Sequence, residues 1–169
     1  MSAAVDLEII SDASIRDLAG KYLTFILEGE EYGIGILQVR EIIGVVEITI
    51  VPQTPDYIKG VINLRGRVVP VLDLRLKFNM EAREYNERTC IIVVEVYGEE
   101  GGSIQVGMVV DSVSEVLTFA PEMIEPPPAF GTDIIDAENI LGMAKLNGQV
   151  KILIDVEKII GSGVIQQFS

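Results

Sequence analysis

The sequence predicts a mainly β protein made of two small antiparallel barrels or curled sheets, each of about five short strands, with short helices. Two observations show a duplicated unit. The segment Gly60–Leu74 recurs 82 positions later as Gly142–Val156, and Gly33–Ile42 recurs 74 positions later as Gly107–Val116. A third observation is compositional, because apolar residues make up 49% of the chain and few of them are aromatic. The dominant Val and Ile suit pleated sheets and predict an aliphatic core.

The downstream repeat has the pattern of a β-hairpin, in which two β-branched runs flank a two-residue turn. The turn is Asn147-Gly148 in the second copy and Arg65-Gly66 in the first. Asn-Gly supplies the positive φ angles that a tight turn requires. Arg65 instead places a planar guanidinium with five donors at the hairpin tip. It is either a partner-binding residue or an ordinary surface arginine.

The upstream repeat pairs Val39 with Val113 and Glu41 with Glu115. A groove between the two copies would be lined by such corresponding positions, so Val39 and Val113 are candidates for it. Glu41 could form an ion pair with Arg65 or with a partner. The repeat offsets differ by eight residues, which predicts an insertion in the second copy that contains prolines 126 to 128.

The first unit is predicted from the alternation of apolar and polar residues. Residues 1–20 form either a frayed leader or one short helix. Strands are expected at Lys21–Leu27 and, after a turn, at Tyr32–Ile36. Gln38–Ile43 is either a single helical turn or a strand end, and Val45–Val51 resumes β character.

Two aspartates are predicted to cap short helices that follow the hairpins. Asp73 precedes a helix at Leu74–Met80, and Asp155 precedes the equivalent helix at Val156–Ile160. An aspartate at this position accepts hydrogen bonds from backbone amides that otherwise lack partners. The polar residues 81–88 connect the two units.

The second unit follows the same plan, with strands at Cys90–Val96 and Ile104–Val110. We expect residues 21–160 to form a single domain of two subdomains. The first copy spans about 30–80, the second about 90–155, and residues 161–169 form a tail.

The net charge of −13 argues against nucleic acids and anionic lipid as partners, because an acidic surface repels both. Residues 40–88 are nearly neutral, with eight basic and seven acidic side chains. An acidic partner could dock there, or the charges could simply be solvated. The basic residues considered are Arg40, Lys59, Arg65, Arg67, Arg75 and Lys77.

The chain lacks histidine and has one cysteine, Cys90, which excludes histidine bases, catalytic triads and the usual zinc sites. Cys90 lies in an apolar run, so a buried core thiol is expected. No phosphate-binding glycine loop is present, and we predict no cofactor and no metal. Carboxylate-pair glycoside hydrolysis by Glu41 with Glu115, or Asp73 with Asp155, remains an alternative. Helix capping accounts for the aspartates and a solvated or salt-bridged strand end for the glutamates, and an aromatic platform for sugars is lacking. A non-enzymatic binding module is therefore favoured.

The longest apolar runs are too short to cross a bilayer, and the first residues lack a basic segment followed by an apolar one. We therefore expect a cytoplasmic protein without direct membrane insertion.

The sequence resembles the CheW family of bacterial chemotaxis coupling proteins from about Tyr22 to Ile160. The segments that carry the resemblance are YLTFILEGEEYGIGILQVREI, TPDYIKGVINLRGRVVPVLDLRLKF, VGMVVDSVSEVL and LIDVEKII. The resemblance implies a CheW-like fold of two SH3-like five-stranded β-barrels. It also implies a non-enzymatic scaffold that joins chemoreceptor signalling tips to the histidine kinase CheA.

The family's receptor contact lies in the groove between subdomains, and its glutamate and arginine interact. The corresponding residues here are Val39, Glu41, Lys59, Arg65, Val113 and Val116. One barrel is expected to bind the regulatory domain of CheA, and alternating contacts could build rings beneath membrane-anchored receptor arrays. An adaptor in another secretion or motility pathway remains an alternative.

Overall fold

The computed structural model describes residues 20–97, 102–127 and 139–161, which form eleven strands and short helical turns. The mainly β prediction is confirmed. The helical turns are the 3-10 turns Ile36–Gln38 and Pro121–Met123, the α-helix Leu74–Lys77 and residues 156–161. The strands are β1 Gly20–Leu27, β2 Glu30–Gly35, β3 Val39–Gly44, β4 Ile58–Leu64, β5 Arg67–Asp73, β6 Cys90–Tyr97, β7 Ser103–Val110, β8 Ser112–Phe119, β9 Ile124–Glu125, β10 Ile140–Leu146 and β11 Gln149–Ile154.

The strands form two sheets. The first barrel is the five-stranded sheet, in the order β3-β6-β7-β5-β4. The second barrel is the six-stranded sheet, in the order β8-β1-β2-β11-β10-β9. It has one strand more than the five expected, and that extra strand, β9, is only two residues long. The chain passes from one barrel to the other at the turn Ile36–Gln38 and again at Asp111.

The two sequence repeats exchange their leading hairpins. Hairpin β1–β2 of the first repeat pairs with β8 and β11 of the second repeat, and hairpin β6–β7 pairs with β3 and β5. The division into copies at about 30–80 and 90–155 therefore does not match the composition of the barrels. Each leading hairpin finds its pairing partners in the other copy, so both barrels contain strands from both.

The core has three parts. A shared core lies between the barrels and is built from both of them, with fully buried Phe25 and Ile34 from the second and Val94 and Met108 from the first. Each barrel also has a smaller cluster of its own. These clusters contain Ile62, Val69, Val71, Ile91, Val93 and Val109 in the first barrel and Tyr22, Phe119, Ile124, Ala144 and Leu153 in the second.

The repeated glycines Gly33 and Gly107 lie where β2 and β7 run parallel to β11 and β5. A Cβ atom at Gly33 would lie 3.0 Å from Cδ2 of Leu153, and one at Gly107 would lie 2.7 Å from Cγ2 of Ile91. An added side chain would overlap Ile91 at position 107 and would force Leu153 to shift at position 33, because an aliphatic neighbour fills the space in both barrels. This packing explains why the glycine recurs in both copies.

The predicted hairpins and caps are confirmed. Arg65 and Asn147 have the same φ of 54°, and the glycine after each also has positive φ. The Asp73 side chain accepts a hydrogen bond of 2.9 Å from the Arg75 backbone N–H. Asp155 accepts one of 3.2 Å from the Lys158 backbone N–H, at the start of the helical segment 156–161.

Two local predictions were wrong. Val45–Val51 is not a strand, since only Thr49 pairs with β4, through a bridge to Val61. Cys90 is partly exposed because it is the first residue of β6, and its Sγ lies 3.3 Å from the Arg88 carbonyl oxygen. The expectations for residues 1–19, for Pro128 and for the tail at 162–169 lie outside the described residues.

Candidate partner-binding site

Arg65 and Glu41, two of the predicted site residues, form an ion pair on the surface of the first barrel. The Arg65 side chain is 70% exposed and that of Glu41 is 27% exposed. Arg65 Nη1 donates to Glu41 Oε2 at 3.1 Å, and Nη2 donates to Oε1. The guanidinium therefore donates hydrogen bonds to both carboxylate oxygens, in the bidentate geometry that arginine can form and lysine cannot.

This ion pair joins the two ends of the five-stranded sheet. Glu41 lies on β3 and Arg65 lies at the tip of the β4–β5 hairpin, and β3 and β4 are the outermost strands of the sheet order. The Thr49–Val61 bridge approaches β4 from the same side, with backbone hydrogen bonds of 2.8 and 2.9 Å. These contacts link the two outermost strands and place the hairpin tip beside β3.

The electrostatics of the pair follow from its geometry. The hydrogen bonds from Arg65 lower the pKa of Glu41, and those accepted by Glu41 raise the pKa of Arg65. Both groups are therefore fully charged at neutral pH. The pair leaves most of the Arg65 surface open to a partner, while Glu41 holds the side chain in one orientation.

Val39 and Val113 each lie just after a point where the chain passes between barrels. Val39 begins β3 after the turn Ile36–Gln38, and Val113 is the second residue of β8, which begins after Asp111. Both are partly exposed and pack against the shared core. Their equivalent places reflect the repeat, since Val39 is opposite Val94 in β6 and Val113 is opposite Phe25 in β1.

The last two predicted residues stand apart from these contacts. Lys59 is partly exposed on β4, and Val116 is 50% exposed on β8, opposite Leu23 of β1. Neither belongs to an ion pair or a core cluster in residues 20–97, 102–127 and 139–161. The structure thus brings Glu41 and Arg65 into contact and places both valines against the shared core, without a described contact between these two groups.

A buried polar network at Asp111 was missed by the sequence reasoning. Asp111 accepts hydrogen bonds from Arg75 Nε at 2.7 Å, from Arg75 Nη2 at 2.9 Å and from the Glu28 backbone N–H at 2.9 Å. Burial opposes ionisation of Asp111, but the hydrogen bonds from Arg75 and Glu28 outweigh it and lower the pKa of Asp111. The signal in the sequence was an aspartate directly after the apolar run that forms β7.

Several basic residues considered for an acidic partner are occupied within the chain. Arg75 is 5% exposed and bound to Asp111, Arg40 pairs with Glu95, and Lys77 lies 4.4 Å from the centre of the Tyr57 ring. Arg75 therefore belongs to the interior. Among the other candidates, Arg65 offers an exposed guanidinium that its neighbour orients.

Three of the four acids of the hydrolase alternative have structural roles. Asp73 caps a helix and accepts a hydrogen bond of 2.8 Å from the Tyr85 hydroxyl, and Asp155 caps the equivalent segment. Glu41 is held by Arg65, while Glu115 is exposed on β8. Within the described ranges, no group of three or more Cys, Asp or Glu side chains could hold a metal ion. The described part of the chain also contains no helix that is long and apolar enough to cross a membrane.

Comparison with known proteins agrees with this architecture. The model of the CheW-like domain family matches residues 21–163. A protein of Klebsiella aerogenes named chemotaxis protein CheW is 43% identical over 155 residues, which cover 89% of this chain and 90% of the relative. A CheW of Helicobacter pylori is 34% identical and covers 83% of this chain and 81% of its own length.

A solved structure gives the same result. The crystal structure of the scaffolding protein TtCheW from Thermoanaerobacter tengcongensis aligns with a TM-score of 0.75 and 35% identity, over 87% of this chain and 96% of that one. Family model, relatives and solved structure each cover most of the chain, and the solved structure has the same fold. The chain therefore belongs to the CheW family of chemotaxis scaffold proteins.

Proposed function

We propose that this chain couples the signalling tips of chemoreceptors to the histidine kinase CheA. It would act as a non-enzymatic cytoplasmic scaffold that reaches membrane-anchored receptor arrays through protein contacts. The observation that carries the proposal is the family match over residues 21–163, together with relatives named as chemotaxis proteins and a solved relative named as a scaffolding protein.

The candidate surface supports binding rather than catalysis. Glu41 and Arg65 form an ion pair on the barrel exterior, and Val39 and Val113 lie at the edge of the shared core. The proposed receptor-binding residues are Val39, Glu41, Lys59, Arg65, Val113 and Val116. A protein surface that offers both exposed aliphatic side chains and an oriented arginine suits a helical tip that presents apolar and acidic groups.

The proposed kinase contact is the regulatory domain of CheA, engaged by one of the two barrels. A protein that binds two partners on separate surfaces can hold them together without catalysing a reaction. Alternating contacts of this kind would extend into rings.

Reconstitution tests the proposal. The purified chain is mixed with a receptor cytoplasmic fragment and CheA, and autophosphorylation of CheA is measured. The expected result is stimulation only when all three proteins are present, with co-sedimentation of the three. Mixtures that lack one component serve as controls, and kinase output that does not respond to the chain would contradict the proposal.

A further inference from the structure

Lys151 and Glu31 form an ion pair in the interior of the second barrel. The Lys151 side chain is 6% exposed and that of Glu31 is 26% exposed. The two residues lie on the adjacent parallel strands β11 and β2, next to the pair Ile152–Tyr32 in the register. Lysine is rarely buried to this degree unless a charged group lies beside it.

The first barrel has neutral residues at the equivalent positions. The pair Val71–Gly107 of β5 and β7 corresponds to the pair Leu153–Gly33 of β11 and β2. The same repeat offsets of 82 and 74 relate Lys151 to Val69 and Glu31 to Gln105. Val69 is 2% exposed and packs in the cluster of the first barrel.

The repeat gives the chain a competing fold. The hairpins β1–β2 and β6–β7 have similar sequence patterns. The strands beside which they dock, β8 and β11 in one barrel and β3 and β5 in the other, are also similar to each other. Each hairpin could dock on the strands of its own repeat instead of exchanging. Such near-equivalent alternatives require a feature that separates them in energy.

The charges provide that separation. If the hairpins docked on their own repeats in the same register, Glu31 would face Val69 and Lys151 would face Gln105. A buried ammonium would then lose its carboxylate, and a carboxylate would meet an apolar cluster. Both changes are unfavourable, because a buried charge without a partner loses its hydration without compensation.

We propose that the Glu31–Lys151 pair determines which hairpin docks in which barrel. The site between β8 and β11 accepts the hairpin that brings an acid to the position of Glu31, and it disfavours the hairpin that brings Gln105. Lys151 is therefore a specificity-determining residue for assembly of the fold. This inference does not depend on the proposed chemotaxis function.

The test moves the acid from one hairpin to the other. The double variant E31Q/Q105E keeps Lys151 and the number of acids, but it offers the carboxylate on β6–β7. The single variant E31Q is the matched control, because it removes the same ion pair without supplying a competing acid. The variant Q105E alone controls for repulsion from Glu95, which is opposite Gln105 in β6.

All variants are unfolded in urea and refolded by dilution. The yield of native monomer is then measured for each. The register is then read from cross-strand nuclear Overhauser contacts. The wild type is expected to show contacts between Gly33 and Leu153. E31Q/Q105E is expected to give a native yield below the product of the fractional yields of the two single variants, with contacts between Gly107 and Leu153.

A charge-reversed variant, E31K/K151E, tests the same idea from the other side. It retains an ion pair and two different docking sites, so it should refold to one species with the Gly33–Leu153 contacts. A yield for E31Q/Q105E equal to the product of the single variants, or soluble E31Q/Q105E protein with only the Gly33–Leu153 contacts, would overturn the proposal. The pair would then stabilise the second barrel without selecting its hairpin.

Discussion

Arg75 donates two hydrogen bonds to Asp111, from Nε at 2.7 Å and from Nη2 at 2.9 Å. Asp111 is the single residue between β7 and β8, where the chain leaves the first barrel for the second. An arginine of the first barrel thus holds the point of transfer. Glu28 lies at the turn between β1 and β2 in the second barrel. Its side chain pairs with Arg75 and its backbone N–H donates to Asp111, so this network connects the two barrels.

Asp111→Asn is expected to destabilise the protein by about 1–3 kcal/mol at pH 7, because buried Arg75 loses one of its two charged partners and keeps only the more exposed Glu28. The pKa of Asp111 is lower in the folded state than in the unfolded chain. Its contribution is therefore complete above the unfolded value of about 4 and is lost as pH falls through the folded value. Urea unfolding should show a gap between wild type and variant that narrows below about pH 4. Asp56→Asn, at an exposed position, is the control.

Arg65→Glu is expected to abolish receptor-dependent stimulation of CheA while the melting temperature stays within about 3 °C of the wild type. The reason is that Arg65 is exposed at a turn and its loss leaves no buried charge unpaired. Arg65→Asn reproduces the tip of the sister hairpin and is the matched control for folding. A large fall in melting temperature for both variants would show that Arg65 has a structural role instead.

The charge exchange Glu41→Arg with Arg65→Glu separates two uses of the ion pair. If the pair acts only by closing the barrel, the exchanged variant should recover coupling. If a partner binds the guanidinium at position 65 directly, coupling should remain lost although the ion pair is restored. We expect the second result, measured as CheA autophosphorylation in the reconstituted mixture.

Val116→Lys is expected to weaken receptor binding at least about tenfold, since it places a hydrated ammonium on the proposed apolar contact. Val150→Lys is the matched control, because Val150 is 52% exposed and Val116 is 50% exposed. Binding is measured by titration of a receptor fragment. Equal losses for both substitutions would argue against a contact specific to β8.

Gly60→Ala is expected to be among the most damaging of the glycine substitutions, at about 3 kcal/mol or more. Gly60 has a φ of 142°, and a Cβ atom there would lie 2.0 Å from the Thr49 carbonyl oxygen. That oxygen accepts a backbone hydrogen bond from Val61, so it cannot move freely. Gly44→Ala, with open space around it, should change the unfolding free energy by less than about 1 kcal/mol.

Much of the local structure was predictable because short sequence patterns determine it. The hairpin turns at Arg65-Gly66 and Asn147-Gly148 and the caps at Asp73 and Asp155 depend on a few adjacent residues. The residues alone did not decide whether Glu41 pairs with Arg65 or with a partner, and the family resemblance favoured the pair with Arg65. The structure confirms this contact.

The arrangement of strands could not be predicted in the same way. The repeat reveals two copies but carries no visible sign that their leading hairpins exchange, because docking is decided by distant pairs such as Glu31 with Lys151. Asp111 was missed for a related reason. Its partners Arg75 and Glu28 are 36 and 83 residues away in the chain, and only the fold brings them together.

The hairpin exchange also sets the order in which a growing chain can complete its barrels. The first barrel needs only residues up to Val110, whereas the second needs β11, which ends at Ile154. During synthesis, hairpin β1–β2 is made first but must wait for β8 and β11 before both of its edges are paired. The hairpin that precedes every other described strand in the chain is therefore the last to have both of its edges paired.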